Sequence, residues 1–160
     1  MTFFGFIARS YYWVTSNIES IFHSGKKKAI SDMNKELKKM KTPTDIEKMY
    51  IILDFKWRSD KKLFRITLDH ARKPWITYKE KQGDCEDFML LSEWFLKRMG
   101  FKDIERYMLN GGEKGWHAVL LFRYKDKWVV GSNTRFVYFE DKEKAIEWFY
   151  GKYHKDSYQM

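Results

Sequence analysis

Cysteine, proline and glycine are scarce in this sequence, and long hydrophobic runs are missing. Its 160 residues include 1 Cys, 2 Pro and 9 Gly. One cysteine excludes a disulfide framework, and it also excludes a zinc site made of four thiolates. So little proline and glycine excludes collagen-like and low-complexity proteins. No stretch reaches the roughly 18 apolar residues that a membrane-spanning helix needs, so the sequence predicts no membrane span.

Apolar and basic residues, by contrast, are abundant. Hydrophobic residues make up 44% and aromatic residues 19%, which is too much apolar surface for a disordered chain. The length suits one domain. Lys and Arg number 31 against 22 Asp and Glu, and the net charge of +9 favours an acidic partner. No Arg-rich or Gly-aromatic motif accompanies the charge, so solubility explains it better than nucleic-acid binding. The N-terminal apolar stretch has no basic region before it, which predicts a cytoplasmic protein.

The first 41 residues carry two helical stripes of apolar side chains. They are Ile7, Tyr11, Val14, Ile18 and Ile21, and then Ile30, Met33, Leu37 and Met40. The other faces of the second stripe are rich in lysine between Lys26 and Lys41. We predict a helical extension, residues 1–41, that packs on a core of residues 42–160 with its lysines outward. The alternative is an arm that binds an acidic partner through Lys26–Lys41.

The segment between the extension and the cysteine is less regular. Thr42 and Pro43 predict a helix start, because threonine caps helices and proline fits the first helical position. Residues 55–68 follow no clear pattern. The Lys73-Pro74 pair predicts a break in regular structure.

A well-defined helix follows. Asp84 is a good N-cap, and Asp87 stands where the reciprocal residue of a capping box belongs. Gly100 is expected to end the helix as its C′ residue. The apolar positions between them have helical spacing: Phe88, Leu91, Trp94, Phe95 and Met99. Cys85 is therefore predicted to lie in the first turn of this helix.

After Gly100 the pattern changes from helical to strand-like. The predicted strands are Ile104–Leu109, Trp116–Tyr124, Trp128–Ser132 and Phe136–Phe139, and a last helix follows Asp141. Lys125 and Asp126 form a polar turn that makes the middle strands a hairpin. Helices, one central helix and then an antiparallel sheet together predict an α+β fold.

Three residues in this layout could cooperate in catalysis. A helix N-terminus favours the thiolate form of a cysteine, which suits Cys85 as a nucleophile. His117, at the start of a strand, could act as its base. Ser132 or Asn133, at the end of the paired strand, could orient the imidazole.

Several segments together resemble the transglutaminase-like superfamily of papain-fold cysteine enzymes, especially its small bacterial and phage cysteine peptidases. Residues 81–88, Lys-Gln-Gly-Asp-Cys-Glu-Asp-Phe, are similar to the active-site cysteine motif of that family. Residues 55–60, 74–77, 115–119 and 128–133 are similar to further family segments in the same order. The likeness covers roughly residues 42 to 139.

The resemblance implies a fold and a set of roles. The fold would be a papain-like, transglutaminase-like core with the cysteine at the N-terminus of a central helix packed on an antiparallel sheet. Cys85 would be the nucleophile and His117 the base, without a metal or a cofactor. The family triad usually ends in Asp, but here Ser132 occupies that position and Asn133 follows. Candidates for the oxyanion hole or the substrate groove are Trp57, Gln82, Trp75 and Trp116.

The third member of the triad depends on the length of the hairpin turn. With a two-residue loop, Lys125-Asp126, Ser132 shares the face of His117. With a three-residue loop or a bulge, Asn133 does. The turn has no Asn-Gly or Asp-Gly, and an amide oxygen reaches further than a hydroxyl, so we predict that Asn133 hydrogen-bonds His117.

Two classes of function fit these observations. The first is a cysteine-dependent enzyme that attacks a carboxamide or peptide bond of a protein or peptide substrate through a thioester. It could be a hydrolase, a deamidase or a transglutaminase. The second is a non-catalytic papain-fold module whose basic surface binds an acidic protein or a nucleic acid.

Overall fold

An antiparallel sheet with helices on both faces makes up the fold. The structure is a computed structural model that describes residues 25–59, 62–63, 66–67, 71–110, 116–151 and 154–159. The helices in these ranges are α1 (Lys26–Leu37), α2 (Pro43–Ile52), α3 (Pro74–Glu80), α4 (Cys85–Arg98) and α5 (Lys142–Tyr150). The strands are β1 (Lys56–Trp57), β2 (Lys62–Leu63), β3 (Ile66–Thr67), β4 (Gln82–Gly83), β5 (Glu105–Asn110), β6 (Trp116–Tyr124), β7 (Lys127–Ser132), β8 (Arg135–Phe139) and β9 (His154–Gln159). None of the helices described is long and apolar enough to cross a membrane.

The main sheet has the strand order β8-β7-β6-β5-β9, and every neighbouring pair in it is antiparallel. Strands β5 to β8 lie within one residue of their predicted bounds. Strand β9 pairs with β5 and was not predicted. The short strands form separate pairs, β1 with β4 in parallel and β2 with β3 in antiparallel orientation. The α+β prediction is confirmed.

Strand β6 lies at the centre of the sheet and contributes to both hydrophobic cores. Successive side chains of a strand point to opposite faces. Ala118, Leu120 and Phe122 therefore belong to the core that contains α4, whereas Val119 and Leu121 belong to the core that contains α5. All five side chains are fully buried. The sheet is thus covered on both faces, which leaves its edges and strand ends for chemistry.

Helix α1 packs its apolar stripe on the body. Ala29 and Met33 are buried in the same core as α4. The lysines point to solvent at positions 26, 27, 28, 35, 38, 39 and 41. The first predicted stripe, Ile7 to Ile21, lies outside the described residues. The boundary between an extension and a core at residues 41 and 42 stays a prediction.

Both prolines begin helices. Pro43 opens α2, behind a capping box formed by Thr42 and Asp45. Pro74 opens α3 directly after residues 71–73, which have no regular structure, so the predicted break at Lys73-Pro74 is confirmed, but the helix that follows it was not predicted. Proline at the first helical position has no N–H to leave unpaired. Four consecutive residues of α3 are buried, Trp75, Ile76, Thr77 and Tyr78, so the helix has no polar face that would have marked it in the sequence.

Candidate active site

Cys85 is the first residue of α4, and its side chain is partly buried. Its Sγ–H donates to the carbonyl oxygen of Trp116 at 3.9 Å. The backbone N–H of Ala118 faces the same sulfur and favours its ionised form. The sulfur therefore contacts the peptide groups on either side of His117.

The end of strand β7 explains how the thiol reaches this edge of β6. Pairing between the two strands begins at Val119 and Ser132. The earlier residues of β6, Trp116 to Ala118, extend past the end of β7. The thiol contacts main-chain groups of this segment, the carbonyl of Trp116 and the N–H of Ala118. A helix packed on one face can thereby place its first residue beside a histidine that faces the other.

Burial dominates the electrostatics of the thiol. It raises the pKa of Cys85 to about 11, helped by the nearby charges of Asp84 and Glu86 and opposed by the N–H groups of Ala118 and Glu86. The helix N-terminus was expected to favour the thiolate. Desolvation outweighs that effect, so Cys85 is a neutral thiol at neutral pH.

His117 is held by Ser132. The distance between His117 Nε2 and Ser132 Oγ is 2.8 Å. Burial lowers the pKa of His117, because a partly desolvated imidazole is harder to charge. The imidazole is therefore neutral at neutral pH, with one nitrogen fixed by a hydroxyl group.

The prediction that Asn133 hydrogen-bonds His117 is wrong. Tyr124 pairs with Lys127, so the loop has only two residues, and Ser132 shares the face of His117. Lys125 makes this loop possible by adopting a left-handed backbone with φ 56°. Primed two-residue turns need such a residue, and Lys125 supplies it without being Asn or Gly.

Asn133 has a different place in the structure. With Thr134 it forms the next hairpin turn, in which Ser132 pairs with Arg135. Its φ is 51°, a left-handed conformation that asparagine tolerates better than most residues. Its Oδ1 is buried without a hydrogen-bond partner in the described part of the chain. Asn133 is therefore a turn residue.

A buried capping box fixes the start of α4. Asp84 accepts hydrogen bonds from the N–H of Glu86 at 3.1 Å and of Asp87 at 3.2 Å. Asp87 returns the contact by accepting from the N–H of Asp84 at 3.3 Å. The predicted capping box is confirmed, and it orients the first turn that carries Cys85.

Asp87 also anchors a segment that the sequence did not mark. It accepts from the N–H of Arg72 at 2.6 Å, and the guanidinium Nε of Arg72 is 3.8 Å from its other oxygen. Burial raises the pKa of Asp87 to about 7, although these contacts with Arg72 oppose the increase. Arg72 lies between patterned elements, so no pattern in the sequence pointed to this role.

The predicted groove residues divide into two groups. Trp57 and Trp116 are 62% and 48% exposed and lie beside the cysteine motif and the histidine respectively. Gln82, in β4, accepts from the guanidinium of Arg58 at 3.2 Å. Trp75 is only 5% exposed and belongs to the core. The groove prediction is therefore wrong for Trp75, because α3 turns its side chain inward.

No cluster of three or more potential metal-ligating side chains (His, Cys, Asp or Glu) occurs among the residues that the structure describes.

Solved structures of one bacterial protein resemble this fold. Legionella pneumophila LapG superimposes with a TM-score of 0.51 at 16% identity, over 77% of this chain and 74% of that chain. Its calcium-bound form gives 0.51 and 16%, over 76% and 73%. The EGTA-treated form gives 0.51 and 16%, over 77% and 72%. The chain has a papain-like, transglutaminase-like fold. No protein-family model and no curated protein sequence matches it.

Proposed function

We propose that this protein is a cysteine-dependent acyl-transfer enzyme that acts on amide or peptide bonds of proteins. Cys85 is the nucleophile, His117 the base, and Ser132 orients the imidazole. The proposal rests mainly on one observation: the thiol of Cys85 contacts the peptide groups that flank His117. In addition, Ser132 Oγ is 2.8 Å from Nε2 of that histidine. The fold shared with LapG, a transglutaminase-like cysteine protease, supports the same class of reaction.

The contact with Ser132 supports an assignment of the imidazole nitrogen that acts as the base. Because Nε2 of His117 is bonded to Ser132, Nδ1 is the nitrogen that receives the thiol proton. Nε2 then carries the other proton and donates it to Ser132 Oγ. A hydroxyl fixes the tautomer and the ring orientation, as a triad needs, but it adds no negative charge to stabilise an imidazolium.

The reaction begins from a neutral thiol and a neutral imidazole. As the Cys85 sulfur bonds to the substrate carbonyl carbon, its proton passes to His117. The C–N bond then breaks, and His117 returns the proton to the leaving ammonia or amine. Water or a second amine attacks the thioester and regenerates the thiol. The N–H of Cys85 can stabilise the oxyanion, because the first N–H groups of a helix have no intrahelical acceptor.

A variant series at Cys85 tests the proposal. Unfolded casein is incubated with the wild-type protein, Cys85→Ala and Cys85→Ser. Peptide cleavage, ammonia release and incorporation of a fluorescent primary amine are followed in parallel. At least one of them should occur with the wild-type protein and disappear with Cys85→Ala. Activity that survives in Cys85→Ala would refute the proposal, and the product that forms separates hydrolase, deamidase and transglutaminase.

The raised thiol pKa and the hydroxyl at position 132 favour a second function, a non-catalytic papain-fold module. Such a module would bind an acidic protein, or a nucleic acid, through the exposed lysines of α1. Its binding would survive Cys85→Ala and would weaken steeply with salt. Retention on an acidic resin and on heparin is compared between about 50 and 300 mM salt for the wild-type protein and Cys85→Ala, and this comparison distinguishes the two functions.

A further inference from the structure

Among the residues that the structure describes, strand β1 is hydrogen-bonded on one edge only. The N–H of Lys56 donates to the carbonyl of Lys81 at 2.8 Å, and the N–H of Arg58 donates to the carbonyl of Gly83 at 2.9 Å. Main-chain groups of successive strand residues point to opposite edges. The N–H and C=O of Trp57 therefore point away from β4, to the outer edge of β1.

No described residue pairs with that outer edge. Among the described strands, β1 pairs with β4 and with no other strand. Trp57 is 62% exposed, and its neighbours from Lys56 to Ser59 are exposed as well. An unpaired strand edge with a donor and an acceptor is a template on which another extended chain can pair.

The open edge lies next to the candidate nucleophile. Trp57 is opposite Gly83, which is two positions before Cys85. Neighbouring strands are about 4.8 Å apart, so a chain added outside β1 runs about 10 Å from β4. An extended chain advances about 3.3 Å per residue. A chain paired with Trp57 would therefore turn towards Cys85, and about three extended residues would span this distance.

We infer that the outer edge of β1 is the substrate-docking edge, on which an extended, unfolded polypeptide segment pairs with the N–H and C=O of Trp57. The indole of Trp57 covers one side chain of this segment. The inference rests on the proposed function, because it takes Cys85 as the reacting group. It assigns substrates that are flexible chains rather than folded surfaces, since only an extended main chain supplies the matching donor and acceptor.

Covalent probes test docking without any turnover. Acetylated peptidyl chloromethyl ketones of one to four residues extend from the thiol in one chain direction, and iodoacetyl peptides of the same lengths extend in the other. Cys85 displaces the halide and forms a thioether in both cases, and the proton leaves with the halide. Rates are measured at pH 9 and divided by the rate with iodoacetamide, which corrects for the reactivity of the thiol in each variant.

Trp57→Pro and Trp57→Ala form a matched pair. Both remove the indole, but only proline removes the N–H, and an outward-facing position of an edge strand tolerates proline. In one of the two series, the wild-type rate should rise once the probe reaches three or four residues. This length-dependent gain should be about threefold to tenfold smaller in Trp57→Pro than in Trp57→Ala, which is the effect of one net hydrogen bond.

A second measurement uses the wild-type protein alone, in case Trp57→Pro does not fold. Probes are methylated at each peptide nitrogen in turn. The length-dependent gain in rate should disappear only when one particular nitrogen carries the methyl group. Equal gains in the two variants, no dependence on length in either series, or insensitivity to methylation would overturn the inference. If the labelling rate rises with probe length but the protein neither hydrolyses nor transfers acyl groups, the docking edge is supported and the proposed enzymatic function is refuted. Failure of the docking inference and failure of the proposed function can thus be told apart.

Discussion

Asp84 influences both the stability of α4 and the reactivity of Cys85, and two substitutions separate these effects. Its side chain accepts from the N–H groups of Glu86 and Asp87, and its charge helps to raise the pKa of Cys85. Asp84→Asn keeps an oxygen that can cap the helix but removes the charge. Asp84→Ala removes both.

The expected stabilities follow from these contacts. Alanine leaves two N–H groups of the first turn without their acceptor, which costs about 1–2 kcal/mol. For a chain of this length, this lowers the melting temperature by about 2–8 °C. Asparagine loses only the interaction of the charge with the helix dipole, about 0.5 kcal/mol. Urea denaturation at pH 7 measures both values.

The reactivity of the Cys85 thiol should depend on the charge of Asp84 and not on its hydrogen bonds as the helix cap. Removing the negative charge of Asp84 lowers the pKa of Cys85, so both variants should react with iodoacetamide about threefold to tenfold faster at pH 8. The protein has one cysteine, so mass spectrometry reads this rate directly. If Asp84→Asn were as unstable as Asp84→Ala, or if neither variant reacted faster, the roles assigned to Asp84 would be wrong.

Three further predictions concern the same site. Ser132→Ala should lower turnover about threefold to tenfold in steady-state kinetics, whereas Asn133→Ala should change it less than about twofold. A larger loss in Asn133→Ala than in Ser132→Ala would contradict the assignment of Ser132 as the partner of the imidazole. The thiol of Cys85 has a pKa of about 11 when folded, above the ordinary value of about 8.5, so the unfolded chain ionises first and stability falls as pH rises from about 8.5 to 11. Wild-type protein should lose up to about 3 kcal/mol more than Cys85→Ser across this window in urea titrations, and parallel curves would refute it. Gly83→Ala should cost about 1–3 kcal/mol in the same assay, because its Cβ would lie 2.5 Å from the Cβ of the buried Asp87, and an unchanged midpoint would show that the capping box can shift.

The start of α4 was predictable because its determinants are local. Asp84 and Asp87 are three positions apart, and their side chains bond to each other's backbone N–H groups. The residues of a capping box contact each other within one helical turn, whatever the rest of the fold is. Cys85 follows the cap directly, so its place at the helix start was fixed along with it.

The partner of His117 was not predictable in the same way, because both faces of the sheet are buried. Val129 and Val130 are fully buried in the two different cores, so the sequence of β7 does not alternate between apolar and polar. Without alternation, shifting the strand by one residue leaves the hydrophobic pattern unchanged. In the structure Gly131 is opposite Phe136, and a Cβ there would lie 2.9 Å from that ring.

Helix α3 and strand β9 were missed for other reasons. A seven-residue helix with four consecutive buried residues has no polar side, so helical periodicity cannot reveal it. Strand β9 depends on pairing with β5, an interaction between distant parts of the chain. Trp57 was predicted as an oxyanion-hole or groove residue from the family resemblance. The open edge of its main chain became apparent only from the parallel pairing of β1 with β4.

The electrostatic features of the site are consistent with one another. Burial raises the pKa of Cys85 and lowers that of His117, and both changes favour the uncharged forms. A thiolate–imidazolium pair in this place would have to overcome the desolvation of two charges. A carboxylate at position 132 would help it to do so, whereas the hydroxyl of Ser132 does not. Ser132 therefore matches the neutral resting state, and the charge separation of the proposed reaction arises only when a bound substrate carbonyl accepts the sulfur.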